Sequence, residues 1–294
     1  MNEREFLIRL SVMKAPYLLQ LACAGFIREN GRIPAAVELA RLTGRSEAEL
    51  AVMVERAQDR RTGELYRRNT EFGRVLTILD GTYPERLSEI YHPPVVLYCQ
   101  GDMSLLAADS LGIVGARRHT PYAEKCLEML LPDVLKAGIV TVSGLAGGVD
   151  SIVHEMTLRK HGRTVAVIGT GLDVTYPRGN VMLQSEVAGK GLVVTEYPLG
   201  EQPLKFHFPQ RNRIIAGLVQ TILVVEARHR SGTLITANLA LQENRNVLAV
   251  PGRIDEPLSQ GTNELISAGA KPVLRAEDII EEFSNCLTNR IQVI

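Results

Sequence analysis

The sequence has no C-x-x-C motif and no cysteine–histidine set at zinc-ligand spacing; Cys23, Cys99, Cys126 and Cys286 are scattered along it. That pattern argues against a metal site and predicts buried thiols in a reducing compartment. No apolar run approaches the ~18 residues of a membrane span; 221-TILVVEA-227 is among the longest. The first residues, MNEREFLIRL, carry Glu3, Arg4, Glu5 and Arg9 and lack the hydrophobic core of a signal peptide. The expectation is a cytoplasmic protein with no membrane partner. There is no net charge either, with 33 basic and 33 acidic residues. Tryptophan is absent and carries no inference.

What is present describes a globular chain. Of 294 residues, 45% are hydrophobic and 22% charged, which excludes disorder and fibrous repeats. At ~100–200 residues per domain the length suggests about two domains. The neutral total also conceals a local bias. Residues 205–245 carry six bases (Lys205, Arg211, Arg213, Arg228, Arg230, Arg245) against Glu226 and Glu243. What matters for a polyanion is this local distribution, not the sum.

Residues 1–72 read as a small helical domain. Phe6, Leu7, Leu10 and Met13 recur at helical spacing, Leu18, Leu21 and Ala22 follow Pro16, and Leu50, Met53, Val54 and Ala57 mark another helix. Ser46 with Glu49 suggests a capping box. Residues 73–110 form a connector with one strand, 95-VVLYCQ-100. From 111 to 283, short apolar strands alternate with helical stretches: 111-LGIVGA-116, 139-IVTVSG-144, 164-TVAVIG-169, 191-GLVVTE-196, 221-TILVVEA-227 and 246-NVLAVPG-252. Strands apolar on both faces and separated by helices predict an α/β class: a doubly wound, mostly parallel Rossmann-like sheet. Thr120-Pro121 and Asp150 offer helix starts, and Pro132 should kink or split its helix. Residues 284–294 are a C-terminal tail.

In such a fold, ligands bind at the carboxyl ends of the strands, where helix N-termini expose amides. Several strands end in glycine or small polar residues: Gly115; Ser143, Gly144, Gly147 and Gly148; Gly169 and Gly171; and, beyond 226-EARHR-230, Ser231 and Gly232. Four such loops converging on one edge predict an anion-binding crevice. No P-loop occurs, and G-x-G-x-x-G with its distal acid is missing, so a P-loop nucleotide or NAD is not expected, while a small nucleotide or nucleotide-sugar stays open. The segment 205-KFHFPQRNRIIAG-217 interleaves Lys205, Arg211 and Arg213 with Phe206, His207 and Phe208. Cations of this kind neutralise phosphates and rings stack on unpaired bases, although Phe206 and Phe208 can equally pin a loop to the core.

Catalytic readings are weaker. Neither Ser143 nor Ser231 lies in G-x-S-x-G. His154 follows Asp150 by four residues and reads as a satisfied helix pair. Asp173 and Glu196 sit near strand ends, and Glu226 is placed to accept amide hydrogen bonds. His119, His207 and His229 have no partner evident from sequence.

Together, 112-GIVGAR-117, 143-SGLAGGVDSIVH-154, 169-GTGLDVTYPRGN-180, 195-TEYP-198, 205-KFHFPQRNRIIAGL-218, 225-VEARHRSGTLITA-237, 248-LAVPG-252 and 261-GTNELISAGA-270 resemble the DNA-processing protein A family (DprA, also called Smf) over roughly 75–283. The N-terminal helices are similar in placement to that family's sterile-alpha-motif-like module. The resemblance implies a non-enzymatic single-stranded DNA-binding protein of natural transformation. It would protect incoming strands, load the RecA recombinase and act as a homodimer, without cofactor or metal. Carried over by motif, the DNA-binding residues are Arg117, Arg178, Lys205, Phe208, Arg211, Asn212 and Arg213. Only eleven residues follow Phe283, where some members continue into a winged-helix domain, so functions needing that domain are not expected. The alternative is a nucleotide-cleaving enzyme on a related scaffold; those carry P-G-G-x-G-T-x-x-E, whereas here Pro251-Gly252 continues as Arg253-Ile254-Asp255.

Overall fold

The computed structural model describes residues 1–283, so the expected tail at 284–294 lies outside the described residues. Five helices come first: α1 (Glu3–Val12), α2 (Tyr17–Asn30), α3 (Ala36–Thr43), α4 (Glu47–Gln58) and α5 (Arg60–Phe72). Local chemistry sets their ends. The Asn2 side chain accepts the Glu5 amide at 2.8 Å, Asp59 accepts the Thr62 amide at 2.6 Å, and Gly44 closes α3 at φ +68°. The capping box expected at Ser46 does not close, because its hydroxyl makes no cap bond; Glu38 instead reaches back to the Ala35 amide at 2.8 Å. On α2 the buried face is Leu19, Cys23, Ala24 and Ile27, one step round from the expected Leu18, Leu21 and Ala22. Leu18 is exposed there.

The connector carries more structure than one strand. It contributes β1 (Arg74–Thr77), the short α6 (Glu85–Ser88) and β2 (Val96–Gly101). β3 (Ser110–Val114), α7 (Pro121–Lys136), β4 (Val140–Ser143), α8 (Val149–Arg159), β5 (Thr164–Val167), α9 (Val181–Lys190) and β6 (Leu192–Thr195) follow. The chain then forms α10 (His207–Leu218), β7 (Thr221–Val224), α11 (Gly232–Gln242), β8 (Asn246–Ala249), α12 (Gln260–Ser267) and β9 (Lys271–Pro272). Among the described residues, all nine strands join one sheet in the order β1-β2-β6-β5-β4-β3-β7-β8-β9. From β6 to β9 the neighbours are parallel, while β1–β2 and β2–β6 are antiparallel.

Alternation along the strands explains the two covered faces. Leu111, Ile113, Leu223, Val225 and Leu248 pack with Leu127, Leu130, Val149 and Val153 of α7 and α8. Val114, Ile222, Val224 and Val247 belong to a second cluster with Ala216 of α10 and Ala237 and Ala240 of α11. A parallel sheet with both faces apolar needs helices on each side. Phe6, Leu10, Leu19 and Leu50 of the N-terminal helices share one apolar cluster with Val96, Val165 and Val193 of the sheet.

Thr120 caps α7 by accepting the Tyr122 amide at 3.2 Å, with Pro121 in the first turn. The helix is not split at Pro132; it runs on to Lys136. The residue four positions back, Glu128, is exposed, so the carbonyl that Pro132 leaves without an amide lies on the side open to water.

His154 also departs from expectation. Its Nδ1 lies 2.7 Å from the Thr164 hydroxyl, not on Asp150, and the ring is fully buried. Burial pushes its pKa down to about 3, so the folded protein holds it neutral. The unfolded chain binds this proton near pH ~6.5. Stability from this residue is therefore complete above ~6.5 and lost as pH falls, at up to about 1.4 kcal/mol per pH unit. Urea unfolding near pH 7 and about pH 5 is expected to show a shallower decline for His154→Gln than for the parent chain. Equal declines would refute this assignment.

Candidate nucleic-acid interface

The doubly wound topology has one reversal. From β3 the chain crosses to β4 on one side, and from β7 to β8 on the other, while β3 and β7 are neighbours. Beyond their carboxyl ends lies a cleft of about 790 Å3, where the fold places ligands. Its walls come from the turn after β3 (Gly115–Arg118), the start of α8 (Asp150), Tyr176, the amino end of α10 and the turn into α11 (Ser231–Thr233). Among the described residues, five cations line it, Arg117, Arg118, Lys205, Arg211 and Arg228, against the single carboxylate of Asp150. The cleft is therefore strongly positive, although the whole chain is neutral.

Its cations differ in kind. Arg117, Arg118, Lys205 and Arg228 are exposed. Arg211 is only 3% exposed and enters the floor, where Nη1 donates to the Val167 carbonyl at 2.8 Å. Gly144 makes room for it, because a Cβ there would sit 1.7 Å from Arg211 Nη1. Burial draws the Arg211 pKa down to about 10, which leaves the guanidinium charged at neutral pH; Asp150 opposes the fall. Burial likewise raises the Asp150 carboxyl, and Arg211 is the main opposing influence. The Phe208 ring is flanked by charge and ring: the Arg117 guanidinium carbon stands 5.3 Å from its centroid, and the Tyr176 ring centroid 5.3 Å away. Asn212 lies on the same wall.

Two expected residues stand apart. Arg213 does not line this cleft; it pairs with Glu196 and lines a second pocket. The reason is helical geometry, since positions 211 and 213 of α10 point ~200° apart. Arg178 is exposed in a short turn, Arg178–Asn180, two residues beyond Tyr176. Asn180 ties that turn down, donating to the Leu145 carbonyl and the Ser151 hydroxyl, both at 2.8 Å.

The profile of the family described as DNA recombination-mediator protein A matches residues 74–284. The chain belongs to that family. DNA processing protein DprA of Streptococcus pneumoniae (strain ATCC BAA-255 / R6) is 48% identical over 207 residues, spanning 70% of this chain and 73% of the relative. The X-ray structure of DprA from Streptococcus pneumoniae superposes with a TM-score of 0.87 at 38% identity, covering 96% of this chain and 98% of that one. A structure of DNA processing protein A from Helicobacter pylori, described for its single-stranded DNA binding mode, gives a TM-score of 0.65 at 32% identity over 72% of this chain and 97% of that one.

In this member of the recombination-mediator family only Gly115, Ser231 and Gly232 of the expected cradle residues line the cleft, and most glycines of these loops serve internal packing. A Cβ on Gly115 would lie 2.5 Å from Val149, on Gly148 (φ +80°) 2.3 Å from the Ala116 carbonyl, and on Gly171 2.6 Å from the Pro198 carbonyl. Gly169 has ordinary contacts with Phe208 and His207, and Gly147 with the Arg117 carbonyl at 3.9 Å, whereas Gly232 faces open space. The Ser143 hydroxyl is spent on the Ile113 carbonyl at 2.7 Å. Ser231 Oγ, at the start of α11 on the cleft wall, has no partner among the described residues. Sequence reasoning passed over Arg118, Arg228 and Tyr176 as site residues. The Arg117-Arg118 doublet and the basic run 228-RHR-230, each just past a strand end, were the available signals.

Proposed function

We propose that this chain binds single-stranded DNA along the cleft at the β3–β7 reversal and acts by holding the strand, not by cutting it. The observation that carries the reading is the cleft itself: exposed Arg117, Arg118, Lys205 and Arg228 around the Phe208 and Tyr176 rings, at the place where the fold receives ligands. Cations engage phosphates, and the rings offer faces to bases that only an unpaired strand can splay out. Arg211 supports the floor from below and Asn212 serves the same wall; Arg178, exposed two residues beyond Tyr176, is proposed as a phosphate contact outside the cleft, and Arg213 is assigned to its ion pair with Glu196.

A binding role fits the way the ionisable groups are occupied. His119 pairs with Glu124 at 2.7 Å, His229 with Glu264 at 2.7 Å, and Nδ1 of His207 lies 3.1 Å from the Gly169 carbonyl. Glu226 accepts the Thr120 amide at 2.9 Å, Asp173 the Gly200 amide at 2.8 Å, and Glu196 holds Arg213. Family membership supports the further reading that the protein works as a homodimer in the cytoplasm, protects strands taken up in transformation, and passes them to RecA. Among the described residues, no helix is long and apolar enough to cross a membrane.

Gel-shift titrations of matched single-stranded and duplex oligonucleotides test the reading. Single strands are expected to bind tighter. With three to five phosphates neutralised, log K should fall against log salt with a slope of about −2 to −3.5. Preference for duplex, or affinity indifferent to salt, would overturn it.

A further inference from the structure

A second pocket, of about 550 Å3, lies between the N-terminal helices and the carboxyl end of β6. It shares the 204–210 segment with the main cleft: Lys205 and Phe208 face the cleft, whereas Phe206, His207 and Gln210 face this pocket. Its charges cancel, Lys14 and Arg213 against Glu196 and Glu201, so it is poorly suited to phosphate. Its walls instead offer rings. Tyr197 stacks on His207 with centroids 4.0 Å apart, and Phe206 meets His207 edge-on at 4.6 Å while remaining 57% exposed. Such an aromatic surface beside a nucleic-acid cleft is what a planar heterocycle requires.

The ion pair in this pocket is incomplete. Arg213 and Glu196 engage through one nitrogen and one oxygen, leaving Arg213 Nη1 and Glu196 Oε1 without hydrogen-bond partners among the described residues. Buried polar atoms left this way are costly and call for a partner. A donor next to an acceptor complements a base whose amino group adjoins a ring nitrogen, as in adenine.

We propose that this pocket holds a nucleobase carrying an amino group beside a ring nitrogen, its face against Phe206 and Tyr197 and its edge toward Glu196 and Arg213. Both free atoms are buried, so the proposal requires the Glu196 and Arg213 side chains to turn toward the base when it binds. The base has two sources, a nucleotide of the strand in the main cleft or a free nucleoside; the first rests on the DNA reading and the second does not.

2-Aminopurine is a suitable probe, because stacking quenches its emission and the chain has no tryptophan. The full chain is titrated with 2-aminopurine deoxyriboside and, separately, with an oligonucleotide bearing one 2-aminopurine. Quenching of at least one probe is expected, weakened about 5- to 150-fold by Phe206→Ala, the loss typical of one stacking ring. Glu196→Gln should weaken it too, and Lys205→Ala should leave nucleoside affinity unchanged. Quenching of the nucleoside identifies a free ligand; quenching of the oligonucleotide alone identifies the strand. If the oligonucleotide fails to bind while the nucleoside is quenched, the DNA reading falls and the pocket stands. No quenching of either probe, or quenching indifferent to Phe206→Ala, overturns the proposal. Phe206 is exposed, so that variant does not depend on a rebuilt core.

Discussion

Arg211→Ala is expected to destabilise the protein by about 3–5 kcal/mol, the usual cost of removing one charge from a buried, mutually compensating pair. For a chain of this size that lowers the melting temperature by roughly 6–20 °C. Three losses coincide: the 2.8 Å bond to the Val167 carbonyl, the volume filled against Gly144, and the charge that offsets buried Asp150. The third has a pH signature. Burial already raises the Asp150 carboxyl above its ordinary value, and without Arg211 it rises further. A folded pKa raised above the unfolded ~3.9 leaves stability intact below that value and loses it as pH climbs through the raised one. The variant should therefore be hurt least near pH 4 and most at neutral pH. Adding Asp150→Asn should recover part of the loss at neutral pH, a coupling of about 0.5–3 kcal/mol. Calorimetry of the two single variants and the double variant measures this; strict additivity, or a loss independent of pH, would show that Arg211 and Asp150 do not compensate each other.

The same residue shows what a sequence can and cannot disclose. Strand positions from 110 to 249 were legible because parallel strands covered on both faces are almost wholly apolar, as in 221-TILVVEA-227, and end at small residues. The outer strands were less so. β9 has two residues, too short for any period to show; β1, as long as β4 to β8, lies in a stretch that reads as a connector, and its pairing is decided by tertiary neighbours. The location of the cleft followed from topology alone, since strand ends and the reversal point are properties of the element order. The division of labour among the arginines did not. Arg211 and Arg213 are two positions apart in one basic motif, yet one lies in the cleft floor and the other in a second pocket. Glycine was equally ambiguous: Gly144 and Gly148 look like phosphate-loop residues, but in the fold a guanidinium and a carbonyl fill the space a side chain would need. Such close approaches are long-range facts, and no local pattern encodes them.

Reversing exposed charge in the cleft is expected to have the largest effect on binding. Lys205→Glu removes one cation and adds a repulsive anion at an exposed position, so the fold should be untouched. Loss of a charge-assisted contact of ~1.5–3 kcal/mol weakens single-stranded DNA binding by about 10- to 150-fold, uniformly across sequences. The salt slope should flatten by about 0.7 for the phosphate no longer neutralised. Arg117→Glu should cost at least as much, because the Arg117 guanidinium also flanks the Phe208 ring and helps hold it for stacking. That shared role makes a further prediction. Arg117→Ala and Phe208→Ala should combine less than additively, since either one dismantles the same cation–ring unit, whereas Lys205→Ala and Phe208→Ala should add. Fluorescence anisotropy with a labelled oligonucleotide at two salt concentrations reads all five quantities. A Lys205→Glu protein that binds as the parent does would remove the phosphate track from this cleft; additivity of Arg117 and Phe208 would separate the ring from the cation and leave stacking to Tyr176.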